Sequence, residues 1–203
     1  MRVAYTIEQC WHRVPGGTAV AAIEVAGELA ARPGIDLVGV SARHDGPPSA
    51  GFIPPIPVHP LGRGSSRSLY ASWLWTGRPF VESTVGEVSV THATTIIPPP
   101  TKAPLVVTIH DLAFVRAPQQ FSPWGRAIFR RSLTQVARRA ALVLCSSTAT
   151  MADCETAGIS PHRLRLVPLG VRLRAPSSDE VTAVRRRFGL PDRYIPVSYT
   201  HLR

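Results

Sequence analysis

The sequence predicts an α/β fold in which βαβ units build a mostly parallel sheet with helices on both faces. Two observations predict it. Short apolar segments rich in β-branched residues alternate along the chain with longer segments of helical periodicity, and glycines or prolines separate them. Strands that alternate with helices are typical of parallel sheets, since each helix returns the chain to the edge where the next strand begins. The 203 residues are 44% hydrophobic, which is ample for a packed core.

The N-terminal part of the chain predicts a strand, a helix and a second strand. Residues 3–7 form an apolar strand, and Gly16-Gly17 precede a helix over residues 18–31 that is rich in Ala, Val and Glu. The second strand is predicted at Asp36–Ser41.

The middle of the chain has weaker signals. Residues 43–66 are rich in Pro, Gly and Ser and predict a loop with a short strand at residues 56–59. A short helix over residues 68–76 and a short strand over residues 88–91 follow. Three consecutive prolines at residues 98–100 exclude a regular helix there.

The C-terminal half has the clearest alternation, and Ser122 precedes Pro123 there as a helix N-cap precedes the first helical residue. The predicted elements are a strand at Leu105–Ile109, a helix from Pro123 to about residue 140, a strand at Leu142–Cys145, a helix at residues 148–157, a strand at residues 164–167 and a polar helix at Ser178–Phe188.

The net charge of +10 raises the question of an anionic partner. Lys102 is the only lysine, so the positive charge is almost entirely arginine. Together with the abundant Ala, Gly and Pro, this bias is the codon usage of a GC-rich genome, and we expect no nucleic-acid partner. No recognition-helix motif, zinc site or platform of stacking aromatic residues accompanies the charge.

The cysteines and the apolar segments indicate a cytoplasmic protein. The three cysteines, Cys10, Cys145 and Cys154, are odd in number and far apart in sequence, which predicts neither a disulfide framework nor a metal cluster. The first ten residues lack the apolar core of a signal peptide, and no segment reaches the ~18 apolar residues of a membrane span.

Three pairs of residues are predicted at the carboxyl ends of the strands, where parallel sheets bind ligands. They are Gly16-Gly17 after the first strand, His110-Asp111 after the strand at Leu105–Ile109, and Ser146-Ser147 after the strand at Leu142–Cys145.

Each pair has both a functional and a structural interpretation. Gly16-Gly17 can admit a ligand close to the backbone at a helix N-terminus, or can form an ordinary tight turn. His110 can accept a proton or position a sugar hydroxyl, or can simply be held by backbone groups at a strand end. Ser146-Ser147 can bind substrate, or can cap the following helix, which is the simpler interpretation.

The loop after the first strand holds further polar residues. From their location we expect Glu8, Gln9, His12 and Arg13 to contact an acceptor.

Residues 103–171 resemble the N-terminal domain of family 4-type glycosyltransferases, which are retaining enzymes of the GT-B fold. The resemblance follows an ordered series: a strand, HDL, an aromatic residue, FSP, a basic helix, a strand, a serine-rich cap, a helix, and a strand that ends in PLGV. The segment RVPGGTAVAAIEVAGELA near the N-terminus fits the same family less distinctively. About four fifths of the chain is covered.

The resemblance implies a Rossmann-like, doubly wound acceptor-side domain at residues 1–171 and a linker and helix at residues 172–195. A second domain would bind the nucleotide-sugar donor, and transfer to a hydroxyl acceptor, a glycan or a lipid-linked sugar, would retain configuration. Neither a metal nor another cofactor is expected.

The resemblance also implies roles for individual residues. His110 would lie beside the transferred sugar as a positioning residue, and Asp111 would orient its loop. Gly16, Gly17 and Thr18 would approach the donor phosphates or the acceptor. The substrate-binding set also includes Ser146 and Ser147.

The end of the chain departs from the family. Where the family continues into its donor domain, residues 196–203 read PVSYTHLR, and we expect this tail to be foreign sequence. The basic pair and the paired glutamates with which the family grips the nucleotide are absent, so we expect the 203 residues to be inactive alone.

A non-catalytic module that binds an anionic membrane or a lipid-linked sugar is the alternative. The arginine-rich helix over residues 126–139 favours it, although that arginine face can equally be a solvated surface. In either case a peripheral location at the inner face of the membrane is compatible with the sequence.

Overall fold

The computed structural model describes residues 1–171, 175–191 and 193–194. Within these residues one sheet of seven strands is formed, in which all neighbouring strands are parallel. The strands are β1 (Arg2–Thr6), β2 (Asp36–Ser41), β3 (Val58–Pro60), β4 (Val90–Ala93), β5 (Leu105–Ile109), β6 (Leu142–Cys145) and β7 (Leu164–Leu166). Their order across the sheet is β3-β2-β1-β4-β5-β6-β7.

Helices connect most of these strands, and short 3-10 segments lie at Glu8–Trp11, Pro118–Gln120 and Pro161–Arg163. The described helices are α1 (Gly16–Ala30), α2 (Ser66–Trp75), α3 (Glu82–Val85), α4 (Ala113–Arg116), α5 (Pro123–Arg139), α6 (Thr148–Thr156) and α7 (Ser178–Phe188).

Alternating residues of β1 show that helices cover both faces of the sheet. Val3 and Tyr5 pack with α1 residues such as Ala22 on one face. Ala4, between them, packs on the other face with Trp73 of α2 and Ile128 of α5. Because successive side chains of a strand point to opposite faces, the two clusters lie on opposite sides of the sheet. The predicted Rossmann-like, doubly wound α/β fold is thereby confirmed.

The strongest sequence signals gave the correct boundaries. The strands at Asp36–Ser41, Leu105–Ile109 and Leu142–Cys145 and the helix at Ser178–Phe188 are as predicted. The Ser122 hydroxyl accepts a hydrogen bond from the Gly125 N–H at 3.1 Å, which confirms Ser122 as the N-cap of α5.

Four predicted elements had starts that were wrong by two residues. Strand β3 begins at Val58 and not at residue 56, and helix α2 begins at Ser66 and not at residue 68. Helix α1 begins at Gly16 and not at Thr18, so the glycine pair forms its first turn. Strand β4 spans Val90–Ala93 and not residues 88–91, because Val90 is the residue that pairs with Val3 of β1. Val88 indicated a strand by its apolar side chain, but it is buried beside the sheet without belonging to β4.

Two short helices were not predicted. Helices α3 and α4 have four residues each, too few to show a helical period in the sequence.

The chain divides into two compact units, Met1–Leu169 and Gly170–Arg203. The sheet lies in the first. In the second, Ser177 and Glu180 form a capping box at the start of α7, and Gly189 ends the helix in the left-handed conformation. The predicted foreign tail at residues 196–203 lies outside the described residues, as do residues 172–174, 192 and 195 of the predicted linker. In the described parts of both units, no helix has the length and apolarity required to cross a membrane.

Candidate functional site

The strand order places a ligand-binding edge between β1 and β4. The chain leaves β1 in one direction across the sheet, towards β2 and β3, and later continues from β4 in the other. In open parallel sheets a crevice forms at such a reversal, beyond the carboxyl ends of the two strands. The segments that follow β1, β4, β5 and β6 therefore form the candidate site.

Three buried polar residues fasten the carboxyl ends of β1 and β4 together. The Thr94 hydroxyl donates to the Thr6 carbonyl at 2.6 Å, and the Thr94 N–H donates to the Thr6 hydroxyl at 3.0 Å. The Gln9 side-chain amide donates to the Thr94 hydroxyl at 2.7 Å. All three residues are almost fully buried, so this network holds Thr94 in a fixed position at the reversal.

His110 follows β5 and lies against this network. Its Nε2 atom is 3.2 Å from the Thr94 carbonyl oxygen. A carbonyl only accepts hydrogen bonds, so Nε2 carries the ring proton and Nδ1 is left as an acceptor. Burial lowers the pKa of His110 below its ordinary value, although the Thr94 carbonyl and the Asp111 carboxylate act in the opposite direction. The ring is therefore neutral near pH 7, with one nitrogen able to accept a hydroxyl proton in a hydrogen bond.

The backbone of His110 is held as firmly as its ring. The Ser146 hydroxyl donates to the His110 carbonyl at 2.6 Å, and the Thr150 hydroxyl donates to the same oxygen at 3.0 Å. The Ser147 hydroxyl accepts from the Thr150 N–H at 3.0 Å and caps α6. Ser146 and Ser147 thus reach the candidate site, where they support His110 and begin a helix.

Asp111 is exposed beside His110. One of its carboxylate oxygens accepts a hydrogen bond from the Ala113 N–H at 2.9 Å, which closes the turn into α4. This contact lets Asp111 orient the loop that carries His110.

Gly16, Gly17 and Thr18 form the first turn of α1. Gly16 has a φ of +64°, a conformation that residues with a Cβ rarely adopt. Gly17 has an ordinary φ, and a Cβ built on it would meet no protein atom within 4 Å. The Thr18 hydroxyl contacts the Pro15 carbonyl at 3.4 Å. Gly17 therefore leaves open space beside a helix N-terminus.

The four residues predicted as acceptor contacts divide into two kinds. Glu8 and Gln9 are buried, whereas His12 and Arg13 are exposed. Glu8 accepts hydrogen bonds from the Ala42 N–H at 2.6 Å, from a ring nitrogen of His44 and from the Ser66 hydroxyl. Through these contacts Glu8 joins the segments that follow β1, β2 and β3.

His92 lies within β4, two residues before Thr94. Its Nε2 atom is 2.8 Å from the Thr108 hydroxyl, and its ring and the Tyr5 ring form a T-shaped pair with a centroid distance of 5.1 Å. Burial, with a smaller contribution from His110, lowers the pKa of His92 from 6.5 to about 4.

Sequence reasoning missed Thr94, Thr6, His44 and Ser66. Thr94 could have been predicted as a site residue, because it directly follows β4. The predicted strand ended at residue 91, however, and Thr94 therefore did not stand at the expected strand end. In residues 1–171, 175–191 and 193–194, no three His, Cys, Asp or Glu side chains are grouped as metal ligands would be.

The ring of His110 gives a direct test of this geometry. We expect 15N NMR at pH 7 to show His110 with its proton on Nε2 and with Nδ1 unprotonated, because the Thr94 carbonyl accepts from Nε2. A spectrum with the proton on Nδ1 would contradict the arrangement. In Thr94→Val, which loses the hydroxyl contacts that fix Thr94, we expect a mixture of the two tautomers.

A family model described as Glycosyltransferase Family 4 matches residues 15–175. No curated protein sequence matches the chain.

Solved structures of the Anabaena protein HepE resemble the chain in fold. The HepE complex with UDP and glucose has 20% sequence identity and a TM-score of 0.61, and the match covers 93% of this chain and 50% of HepE. The HepE complex with UDP-glucose gives 19% identity and a TM-score of 0.62 over the same shares. The chain thus spans about half the length of the HepE chain that it matches.

Proposed function

This chain belongs to glycosyltransferase family 4, and from that membership we propose that it forms the acceptor-side wall of an enzyme that transfers a sugar from a nucleotide donor to a hydroxyl acceptor. The observation that carries the proposal is that the Gly17 turn, Thr94 and His110 follow three neighbouring parallel strands, β1, β4 and β5, and that His110 contacts Thr94. The carboxyl edge of these strands is where the fold binds ligands, and it offers a neutral imidazole acceptor and an open helix N-terminus.

The donor is proposed to be a nucleotide sugar. HepE, which shares the fold, is known in complexes with UDP and with UDP-glucose. The free N–H groups in the first turn of α1 suit the diphosphate of such a donor, because they present partial positive charge. The acceptor is proposed to be a glycan or a lipid-linked sugar.

His110 is assigned a positioning role. Its Nδ1 atom accepts a hydrogen bond from a hydroxyl of the transferred sugar, while Nε2–H remains on the Thr94 carbonyl. Asp111 orients the loop, and Ser146 and Thr150 hold the His110 backbone. Transfer with retention of configuration and without a metal is part of the proposal. Activity that persists in excess EDTA is the result expected for a metal-free site.

We propose that turnover requires a second domain that contributes the opposite wall of the cleft. The support is the length of HepE, of which this chain spans half. We call the protein that joins this domain to such a second domain the complete enzyme. Its sequence is obtained by sequencing the parent gene beyond codon 195.

The transfer proposal is tested by incubating the complete enzyme and the 203-residue chain separately with common nucleotide sugars and hydroxyl acceptors. We expect product with the complete enzyme only, and 1H NMR of the new anomeric centre should show retention. Robust turnover by the 203 residues alone would overturn the need for a second domain. Inverted product would overturn retention and leave transfer standing.

A non-catalytic module that binds an anionic membrane or a lipid-linked sugar is the second candidate, and the exposed arginines of α5 favour it. Lack of transfer by the complete enzyme with every donor, together with binding to anionic lipid, would favour this candidate. The two functions are also compatible, since an enzyme that works on lipid-linked sugars in the cytoplasm meets them at the inner face of the membrane.

The first turn of α1 offers a matched set of variants. Gly17→Ala should keep the melting temperature or raise it slightly, because the site is open and Ala favours helix. We expect kcat/KM of the complete enzyme to fall on the order of tenfold, because the added methyl group occupies the space that the donor needs.

Two other glycines serve as controls for this result. Gly27→Ala lies in the same helix, where its Cβ would make an ordinary 3.8 Å contact with Pro55, and it should leave kcat/KM unchanged. Gly16→Ala should lower stability by ~1–2 kcal/mol, because its φ of +64° is strained for alanine. Full kcat/KM in Gly17→Ala would show that no ligand approaches this turn.

A further inference from the structure

The outward face of α5 concentrates positive charge. Arg130, Arg131 and Arg138 are exposed, while Ile128 and Val136 on the opposite side of the helix are buried in the core. Neither α5 nor the neighbouring α2 contains an acidic residue. Within the described residues, the guanidinium groups of Arg130 and Arg138 donate no hydrogen bond to the protein. They are therefore available to an anion.

Two tryptophans border these arginines. Trp75, the last residue of α2, is 46% exposed, and Trp124, in the first turn of α5, is 47% exposed. Their rings stack with a centroid distance of 5.7 Å and an interplanar angle of 10°. The Arg131 guanidinium lies 5.2 Å from the centre of the Trp75 ring, and its Nε donates to the Leu74 carbonyl at 2.5 Å. Two large apolar side chains are thus held at the surface.

A groove of about 460 Å3 runs along this surface, which we name the α5 face. It is large enough for a phosphate headgroup, and arginine binds phosphate oxygens through paired N–H groups. The groove is lined by Trp75, Ala127, Arg130, Arg131, Thr134, Gln135 and Arg138.

The orientation of the tryptophans distinguishes between anionic partners. Single-stranded nucleic acid binds by stacking bases on open aromatic faces, but the Trp75 ring is already stacked with Trp124 and has the Arg131 guanidinium over it. Exposed indoles beside cationic side chains are instead typical of a membrane–water interface, where the indole lies at the level of the headgroups.

We propose that the α5 face is a docking surface for an anionic phospholipid membrane, with Trp75 and Trp124 at headgroup depth and Arg130 and Arg138 on lipid phosphates. This proposal deepens the peripheral membrane contact proposed above by naming the surface and its lipid class. It does not depend on sugar transfer, so vesicle binding and turnover fail or succeed separately.

The test is vesicle co-sedimentation of the 203-residue chain at low salt. Vesicles of phosphatidylcholine alone are compared with vesicles that contain phosphatidylglycerol as the anionic lipid. We expect the chain to bind the anionic vesicles, to be released by salt, and to bind the neutral vesicles weakly. Arg130→Gln/Arg138→Gln should lower the partition coefficient roughly tenfold to thirtyfold, because two lipid contacts are lost.

A second double variant provides the matched control. Arg32→Gln/Arg43→Gln removes the same charge from exposed positions outside the α5 face and should change the partition coefficient less than about threefold. Thermal melts of both variants establish that they are folded. The Trp124→Phe variant should lose part of the blue shift in tryptophan fluorescence that binding to anionic vesicles produces.

Four outcomes would overturn the proposal. They are no binding to anionic vesicles, equal binding to neutral and anionic vesicles, an equal loss in the two double variants, and tighter binding to single-stranded DNA than to anionic vesicles at the same salt concentration. The last of these would identify the α5 face as a nucleic-acid surface.

Discussion

His110→Ala should lower kcat of the complete enzyme on the order of 100-fold. The reason is geometric. The Thr94 carbonyl fixes the imidazole at Nε2, and in the proposed cleft Nδ1 accepts a hydrogen bond from the transferred sugar. Without it, the sugar loses a contact that sets its orientation, and small errors of orientation are costly to transfer. Steady-state kinetics with a nucleotide-sugar donor measures the effect.

The stability of this variant must be separated from its activity. Alanine leaves the Thr94 carbonyl without its partner, which costs ~1–3 kcal/mol if water does not replace the ring. His110→Gln can restore a donor to that carbonyl, so it should recover stability while recovering little of kcat. His162→Ala removes an exposed histidine and should have no effect on kcat. Equal kcat in His110→Ala and the unmodified enzyme would remove His110 from the site.

Acidification should destabilise the first unit by up to roughly 3 kcal/mol through His92 alone. The unfolded chain takes up a proton on His92 below pH 6.5, but the folded protein resists protonation until its pKa of about 4. This contribution to stability is therefore complete above pH 6.5 and is lost as the pH falls from 6.5 to 4. At ~1.4 kcal/mol per pKa unit the loss approaches 3 kcal/mol, and residual solvent at the partly exposed ring reduces it.

Urea unfolding at pH 7, 6, 5 and 4 measures this loss. The lowered pKa of His110 acts in the same direction, so the decline of the whole protein should exceed that of His92 alone. His92→Gln cannot take up a proton and can still reach the Thr108 hydroxyl, so its unfolding free energy should fall much less between pH 6.5 and 4. The control His162→Gln should keep the full decline. Parallel pH profiles for His92→Gln and the unmodified chain would contradict the assignment.

The sequence predicted the fold because the buried strands are continuous apolar runs. Pro104 and His110 interrupt the apolar run on either side of β5, and Ser146 interrupts it after β6, so these three boundaries were correct. At β4 the signal failed, because Val88 is apolar and buried without pairing, and the pairing with Val3 that defines the strand lies 87 residues away in sequence. Pairing over such distances leaves no local pattern.

The same limit applies to the site. His110 could be predicted because it follows an unmistakable strand and lies in a recognisable series of motifs. The contacts that hold it could not, since Thr94 reaches Thr6 across 88 residues and Ser66 reaches Glu8 across 58. Ser147 shows the converse, because an N-cap is a local feature and the structural interpretation of that residue was available from the sequence.

The most direct test of the account is a crystal structure of the complete enzyme with UDP-glucose or the donor found by assay. It should show a hydroxyl of the transferred sugar ~2.7–3.2 Å from His110 Nδ1, with His110 Nε2 still on the Thr94 carbonyl and the diphosphate facing the first turn of α1. A donor whose sugar lies more than about 6 Å from His110, with only water along the carboxyl edge of β1, β4 and β5, would contradict the claim that this edge is the acceptor-side wall of the sugar-transfer cleft.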